Sequence, residues 1–154
     1  MPGYDQRLQE LGLTLPPVVA PLAAYVPAAR SGNLVWTAGQ LPLVDGKLPL
    51  TGKVGADVAP ADAAKLAGTA ALNALAAIAD LAGGLDRITR IVRVVGYVAS
   101  APEFTGQPAV VNGASELIGD VFGDAGKHAR SAVGVAVLPL DAPVEIEVMA
   151  EIAG

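Results

Sequence analysis

An α+β fold, two helices packed on one face of a mixed or antiparallel sheet, is what this sequence predicts. Three observations carry that prediction. Hydrophobic residues make up 53% of the chain and charged residues 16%, which asks for a large buried core. Candidate elements run in the order strand-strand-helix-strand-helix-strand-strand, the pattern of helices laid over a sheet. The longest helical stretch keeps its polar residues on one narrow stripe, so it must be covered on most sides. At 154 residues, with no internal repeat or low-complexity tract, the chain suits one domain spanning 1–154.

Taken in order, residues 4–11 form a short amphipathic helix that stops at Gly12, and Pro16-Pro17 bars its extension. Residues 25–29 and 33–38 read as strands separated by Arg30-Ser31-Gly32, a hairpin-type connection. Residues 39–55 are turn-rich, with Asp45-Gly46 and Thr51-Gly52 as turn pairs. A long helix should begin near Pro60, since proline suits a first turn, and end at Gly83-Gly84. Its stripe is Asp62, Lys65, Thr69, Asn73 and Asp80. Residues 88–99 are β-branched and strand-like; 108–122 form a second helix, weakened by Gly113 and Gly119. Residues 130–138 and 144–152 close the chain as strands.

Composition narrows the chemistry. With no cysteine, disulfides, thiolate metal sites and cysteine nucleophiles are excluded. A net charge of -5 disfavours polyanion binding, so no nucleic-acid partner is expected. A single histidine, His128, excludes a two-histidine acid–base pair. No G-x-G-x-x-G or P-loop occurs. The polar N-terminus is unlike a signal peptide, and residues 66–85 read as a buried helix interrupted by Asn73 and Asp80. A cytoplasmic protein without membrane contact is therefore expected. The sparse charge leaves apolar surface that a subunit interface would absorb.

The last two strands hold the most suggestive pair. Arg130 can fork onto a carboxylate and Glu145 can handle a proton or a water, which together suit a carboxylate-bearing small molecule. Read as a hairpin, these strands should place Val133, Val135 and Val137 on the helix-covered face with Val144, Ile146 and Val148. The other face would then carry Arg130, Ala132, Gly134 and Ala136 beside Glu145, Glu147, Met149 and Glu151. In that register Arg130 and Glu145 lie roughly 23 Å apart at ~3.3 Å per residue. If both act on one molecule, they must come from different subunits. Plainer roles stand beside this one. Arg130 alone could be a strand-end surface residue, Glu145 a solvated glutamate, Tyr25 an interface aromatic, and Asn112 a loop-bonding amide. His128 should lie exposed, Ser131 should face the packed side, and alternation should split Arg90 and Arg93 between faces, where salt bridging would occupy them.

The segments Tyr25-Val26, GNLVWTAGQLP at 32–42, Val111-Asn112, Ala129-Arg130-Ser131 and Leu138-Pro139 through Glu145-Ile146-Glu147 resemble the RidA/YjgF family, also known by the older label endoribonuclease L-PSP. The likeness covers a core at 20–152, with the helix at 1–16 additional to the short family form. It implies a chorismate-mutase-like fold, a homotrimer, and ligand pockets between subunits. It further implies hydrolysis of reactive 2-imino (enamine) acids to 2-oxo acids and ammonia, with no cofactor and no metal. Matched onto this chain, Arg130 grips the substrate carboxylate and Glu145 positions the attacking water. Tyr25, Gly39, Asn112 and Ala132 correspond to ligand-lining positions. The chain departs from the family pattern at three places. A hydroxyl residue is usual where Ala38 stands, a small polar or thiol residue where Ala132 stands, and a glutamate where Gly134 stands. Those departures favour a second reading, non-catalytic binding of a small carboxylate metabolite. The ribonuclease of the older label is a third.

Overall fold

The element boundaries follow from proline and glycine. Pro60 opens the long helix α2 (Pro60–Ala82), where its missing N–H costs nothing, and Gly83, at φ 90, closes it in the left-handed conformation with its N–H on Ala79 O. Gly32, at φ 60, turns the hairpin between β1 (Ala28–Ser31) and β2 (Leu34–Thr37). A computed structural model describes residues 3–18, 21 and 23–154; the start of the family core expected at residue 20 lies outside the described residues. The first strand begins three residues later than alternation suggests. Pro27 has no N–H to give, so pairing starts with its carbonyl, which accepts from Ala38 N, and Tyr25 and Val26 stay exposed.

Helix α1 (Tyr4–Glu10) caps its first turn with a side chain from elsewhere: the Asp86 carboxylate accepts from Tyr4 N. It packs on α3 (Gln107–Phe122), with the Tyr4 and Phe122 rings edge-on at 4.5 Å. Between the helices come β3 (Ile88–Ala99), then β4 (Ala129–Val135) and β5 (Val144–Ile152). All three helices lie with one face of a single mixed sheet ordered β1-β2-β5-β3-β4. Helix α2 has the length and apolarity to cross a membrane, yet most of it is buried against the sheet and α3.

The expected hairpin between the last two strands does not form. β3 lies between them, parallel to β4 and antiparallel to β5. A parallel pair needs a crossover, and α3 supplies it, delivering β4 to the outer edge of β3 while β5 inserts between β3 and β2. The chain then steps over the end of β3, where Ser100 N donates to Val135 O and Ala99 N to Pro143 O. With β3 finished at Ala99, β4 has no partner past Val135, so it ends short of residue 138.

This topology reverses the expected faces of β4. Arg130, Ala132 and Gly134 pair with Val94, Gly96 and Val98 and therefore point toward the helices, with Val144, Ile146 and Val148. Val133 and Val135 stand on the open face beside Glu145 and Glu147, as does Ser131, which accepts a hydrogen bond from Arg93. The cause is the closeness of α3. A Cβ on Gly96 would meet Val111 Cγ2 at 2.3 Å, so no side chain fits at that position of β3 beneath the helix. Two bulges in β3 also bring Arg90 opposite Glu151 and Arg93 opposite Met149, so both arginines share the open face. In place of salt bridges, Arg93 bonds the Ser131 hydroxyl and Arg87 bonds the carbonyls of Ala153 and Gly154.

Candidate functional site

One half of the candidate site sits where β4 enters the sheet beneath α3. Pro108, Asn112 and Ser115 recur at helical spacing, so they share the face of α3 turned to the start of β4. Arg130 reaches that face. Its Nη1 donates to Asn112 Oδ1 at 2.7 Å and to Ser115 Oγ at 3.3 Å, and its Nη2 to Pro108 O at 3.4 Å. These acceptors are all neutral; among the described residues no carboxylate forms an ion pair with Arg130. Ala132 follows on the same face, half-buried against the core.

His128 extends the network and is half-buried, not exposed as expected. Its Nδ1 lies 2.6 Å from Gly126 O and its Nε2 2.9 Å from Ser115 Oγ. A carbonyl can only accept, so Nδ1 carries a proton, and in the neutral ring Nε2 accepts from the Ser115 hydroxyl. Ser115 and His128 escaped the sequence reading. The i, i+4, i+7 spacing of Pro108, Asn112 and Ser115, with a histidine two residues before Arg130, was the available signal.

The other half lies on the open face. Glu145, on β5, is opposite Tyr97 of β3. The Gln40–Ile146 bridge draws the 39–40 backbone over β5 so closely that a Cβ on Gly39 would lie 2.5 Å from Glu145 Oε1. Burial, and then the negative charge of Glu147, raise the Glu145 pKa above the ordinary carboxylate value. The Tyr97 hydroxyl donates to Glu147 Oε1 at 3.2 Å, and burial followed by that carboxylate raise the tyrosine pKa. Gly39 and Glu145 are thus in contact, while Tyr25 stands 59% exposed before β1, with no hydrogen bond to Arg130 or Glu145.

Arg130 and Glu145 flank β3 from opposite strands, offset by the step from Val94 to Tyr97. With ~3.3 Å per residue and ~4.8 Å between strands, their Cα atoms lie about 14 Å apart, not 23 Å. Their side chains nevertheless leave opposite faces of the sheet. Within one chain they cannot meet on a small molecule. Among the described residues no group of three or more His, Asp or Glu side chains gathers as a metal site.

A family model described as "YjgF/chorismate_mutase-like, putative endoribonuclease" matches residues 5–152, which takes in both halves and most of α1. The chain belongs to the YjgF/chorismate-mutase-like family. It is 42% identical to Protein TCP17 of Trypanosoma cruzi over 147 residues, covering 95% of this chain and 92% of that protein. The crystal structure of Atu1372 from Agrobacterium tumefaciens shares 49% identity at a TM-score of 0.90, covering 97% and 92% of the two chains. The YjgF-like fold also matches E. coli TdcF, solved with bound serine, at 25% identity and a TM-score of 0.62, with 88% and 94% covered.

Proposed function

We propose that this YjgF-family chain hydrolyses 2-imino and enamine acids to 2-oxo acids and ammonia in clefts between subunits of a homotrimer. One observation carries the reading: a cationic fork and a half-buried carboxylate stand on opposite faces of one sheet, where only a neighbouring copy can bring them onto the same molecule. Arg130 takes the substrate carboxylate, for which its planar, permanently charged fork is suited. Glu145 of the adjacent copy, with Gly39 beside it, handles the water. The protonated imine carbon is already electrophilic. Glu145 accepts a proton as water adds to that carbon, then returns it to the amine nitrogen. As the C–N bond breaks, the new hydroxyl becomes the carbonyl and its proton passes to the departing ammonia, so protonated imine and water become 2-oxo acid and ammonium. A carboxylate whose pKa is raised by burial is a stronger base than a solvated one and suits both transfers. Asn112 supports the arginine, and Tyr25 and Ala132 line the cleft. The serine bound to TdcF is itself a carboxylate-bearing molecule, which supports a ligand of this class.

Ammonia release from imino acids generated in place by an amino-acid oxidase tests the proposal. The wild type should accelerate release, and Arg130→Ala should abolish it, since losing a guanidinium that grips the carboxylate inside a closed cleft costs about 2–5 kcal/mol of binding. Release no faster than with Arg130→Ala overturns the hydrolase. The second reading, carboxylate binding without catalysis, rests on Ala38, Ala132 and Gly134, and on the Gln107 amide. Its Nε2 would lie 2.8 Å from a Cβ at 134, filling the space a longer residue there would use. Calorimetric binding of 2-oxobutanoate without ammonia release would select it.

A further inference from the structure

Arg130 has five N–H donors, and the residues around it account for three. Both Nη1 hydrogens go to Asn112 and Ser115, and one Nη2 hydrogen goes to Pro108 O. Among the described residues nothing accepts from the Nε–H or from one Nη2–H, a pair able to take both oxygens of a carboxylate. Which pair remains depends on Nη1 being held. Ser115 Oγ is half of that hold, and its hydroxyl can accept from Arg130 in a fixed direction only while its own proton is directed elsewhere. His128 Nε2 takes that proton, and the ring is in turn fixed by Nδ1–H on Gly126 O. A hydrogen-bonded chain thus runs from a backbone carbonyl of the turn before β4 to the guanidinium.

We propose that Ser115 and His128 are positioning residues that orient Arg130 so that its Nε/Nη2 edge faces the incoming carboxylate. The inference rests on Arg130 being the carboxylate clamp of the proposed function. Neither residue touches the substrate. His128 acts through Ser115, and Ser115 acts through Arg130.

Three measurements test it on the intact chain. In ¹⁵N NMR of the ligand-free protein, a guanidinium held at Nη1 rotates slowly about its Cζ–Nη bonds and gives resolved Nη signals. Ser115→Ala and His128→Ala should collapse them to averaged lines while the melting temperature stays within a few degrees, and Ser115→Thr should restore them. In calorimetry with 2-oxobutanoate, Ser115→Ala should weaken binding about tenfold, the size of one lost hydrogen bond to a charged group. Ser115→Thr should bind like the wild type. In the oxidase-coupled assay the loss should fall on KM with kcat nearly unchanged, as for an interaction made equally in ground and transition states. Arg130 signals that are already averaged in the wild type, or unmoved by Ser115→Ala, overturn the proposal. So does unchanged 2-oxobutanoate affinity in Ser115→Ala. A wild type that shows the NMR pattern but binds no 2-oxobutanoate sinks the functional reading and leaves the positioning chain supported.

Discussion

Burial makes the ionised form of Glu145 less favourable in the folded chain than in the unfolded one. Its pKa is raised in the fold, so between the unfolded value near ~4.3 and the folded one the native state binds more protons than the unfolded chain. Stability therefore falls as pH rises through that window, and the ionised carboxylate is a net cost at neutral pH. Glu145→Gln should melt higher than wild type at pH 7, and the gain should vanish near pH 4, where both carry a neutral group. Equal melting temperatures across that range would show the burial to be without consequence. Gly39→Ala probes the same spot from the other side. Its Cβ would strike the Glu145 carboxylate, the free end of a flexible side chain, so stability should change by less than about 1 kcal/mol. Oxidase-coupled ammonia release should fall at least tenfold, because the moved group is the one proposed to handle water. Arg130, Glu145 and Gly39 stood out as candidates from residue type and family pattern, and the structure puts Gly39 against Glu145. Ser115 and His128 did not, because their role depends on which side chain of α3 overlies the first turn of β4.

The two glycines of α3 show how far element-level reading reaches. Both lower helix propensity equally on sequence grounds, yet they do opposite things in the fold. A Cβ on Gly113 would lie 1.8 Å from Ala64 O, a backbone atom of α2 that cannot swing aside, whereas nothing lies within 4 Å of one on Gly119. Gly113→Ala should destabilise by about 1–3 kcal/mol or more through overpacking of the α2–α3 contact. Gly119→Ala should stabilise by roughly 0.5–1 kcal/mol from helix propensity alone. Thermal melts of the two variants side by side check both signs, and the same sign for both would refute the close approach. The bounds of β3, β5 and α2 were legible because proline, glycine and β-branched runs mark them locally. The pairing of β4 was not. Its alternation offers two parities, and the usual rule that large apolar residues face the core fails here: Val133 stands on the open face while Ala132 and Gly134 face the helices.

At the scale of the whole molecule, the valines that rule misplaced become informative. Val133 and Trp36 are 43% and 39% exposed on the open face, and Tyr25 and Val26 are more exposed still. That is apolar area a chain with 16% charged residues would shed by association. A threefold ring built on this face makes a heterologous, closing interface, in which each cleft takes one side from each neighbour. Light scattering should then give three times 15.4 kDa, about 46 kDa. A sharper test uses two inactive variants. Arg130→Ala keeps Glu145, and Glu145→Gln keeps Arg130. Mixed at random within trimers, a cleft works when its arginine side comes from the second and its glutamate side from the first, which is about one cleft in four. Co-expression should therefore restore about a quarter of wild-type ammonia release, with subunit exchange verified by native mass spectrometry. A site complete within one chain would recover nothing, because no subunit in the mixture carries both groups. Val133→Glu supplies the matching control. By charging the interface it should leave the fold intact by circular dichroism, produce monomers, and silence Arg130 and Glu145 although both are present. Verified mixed trimers without recovered activity would overturn the shared cleft.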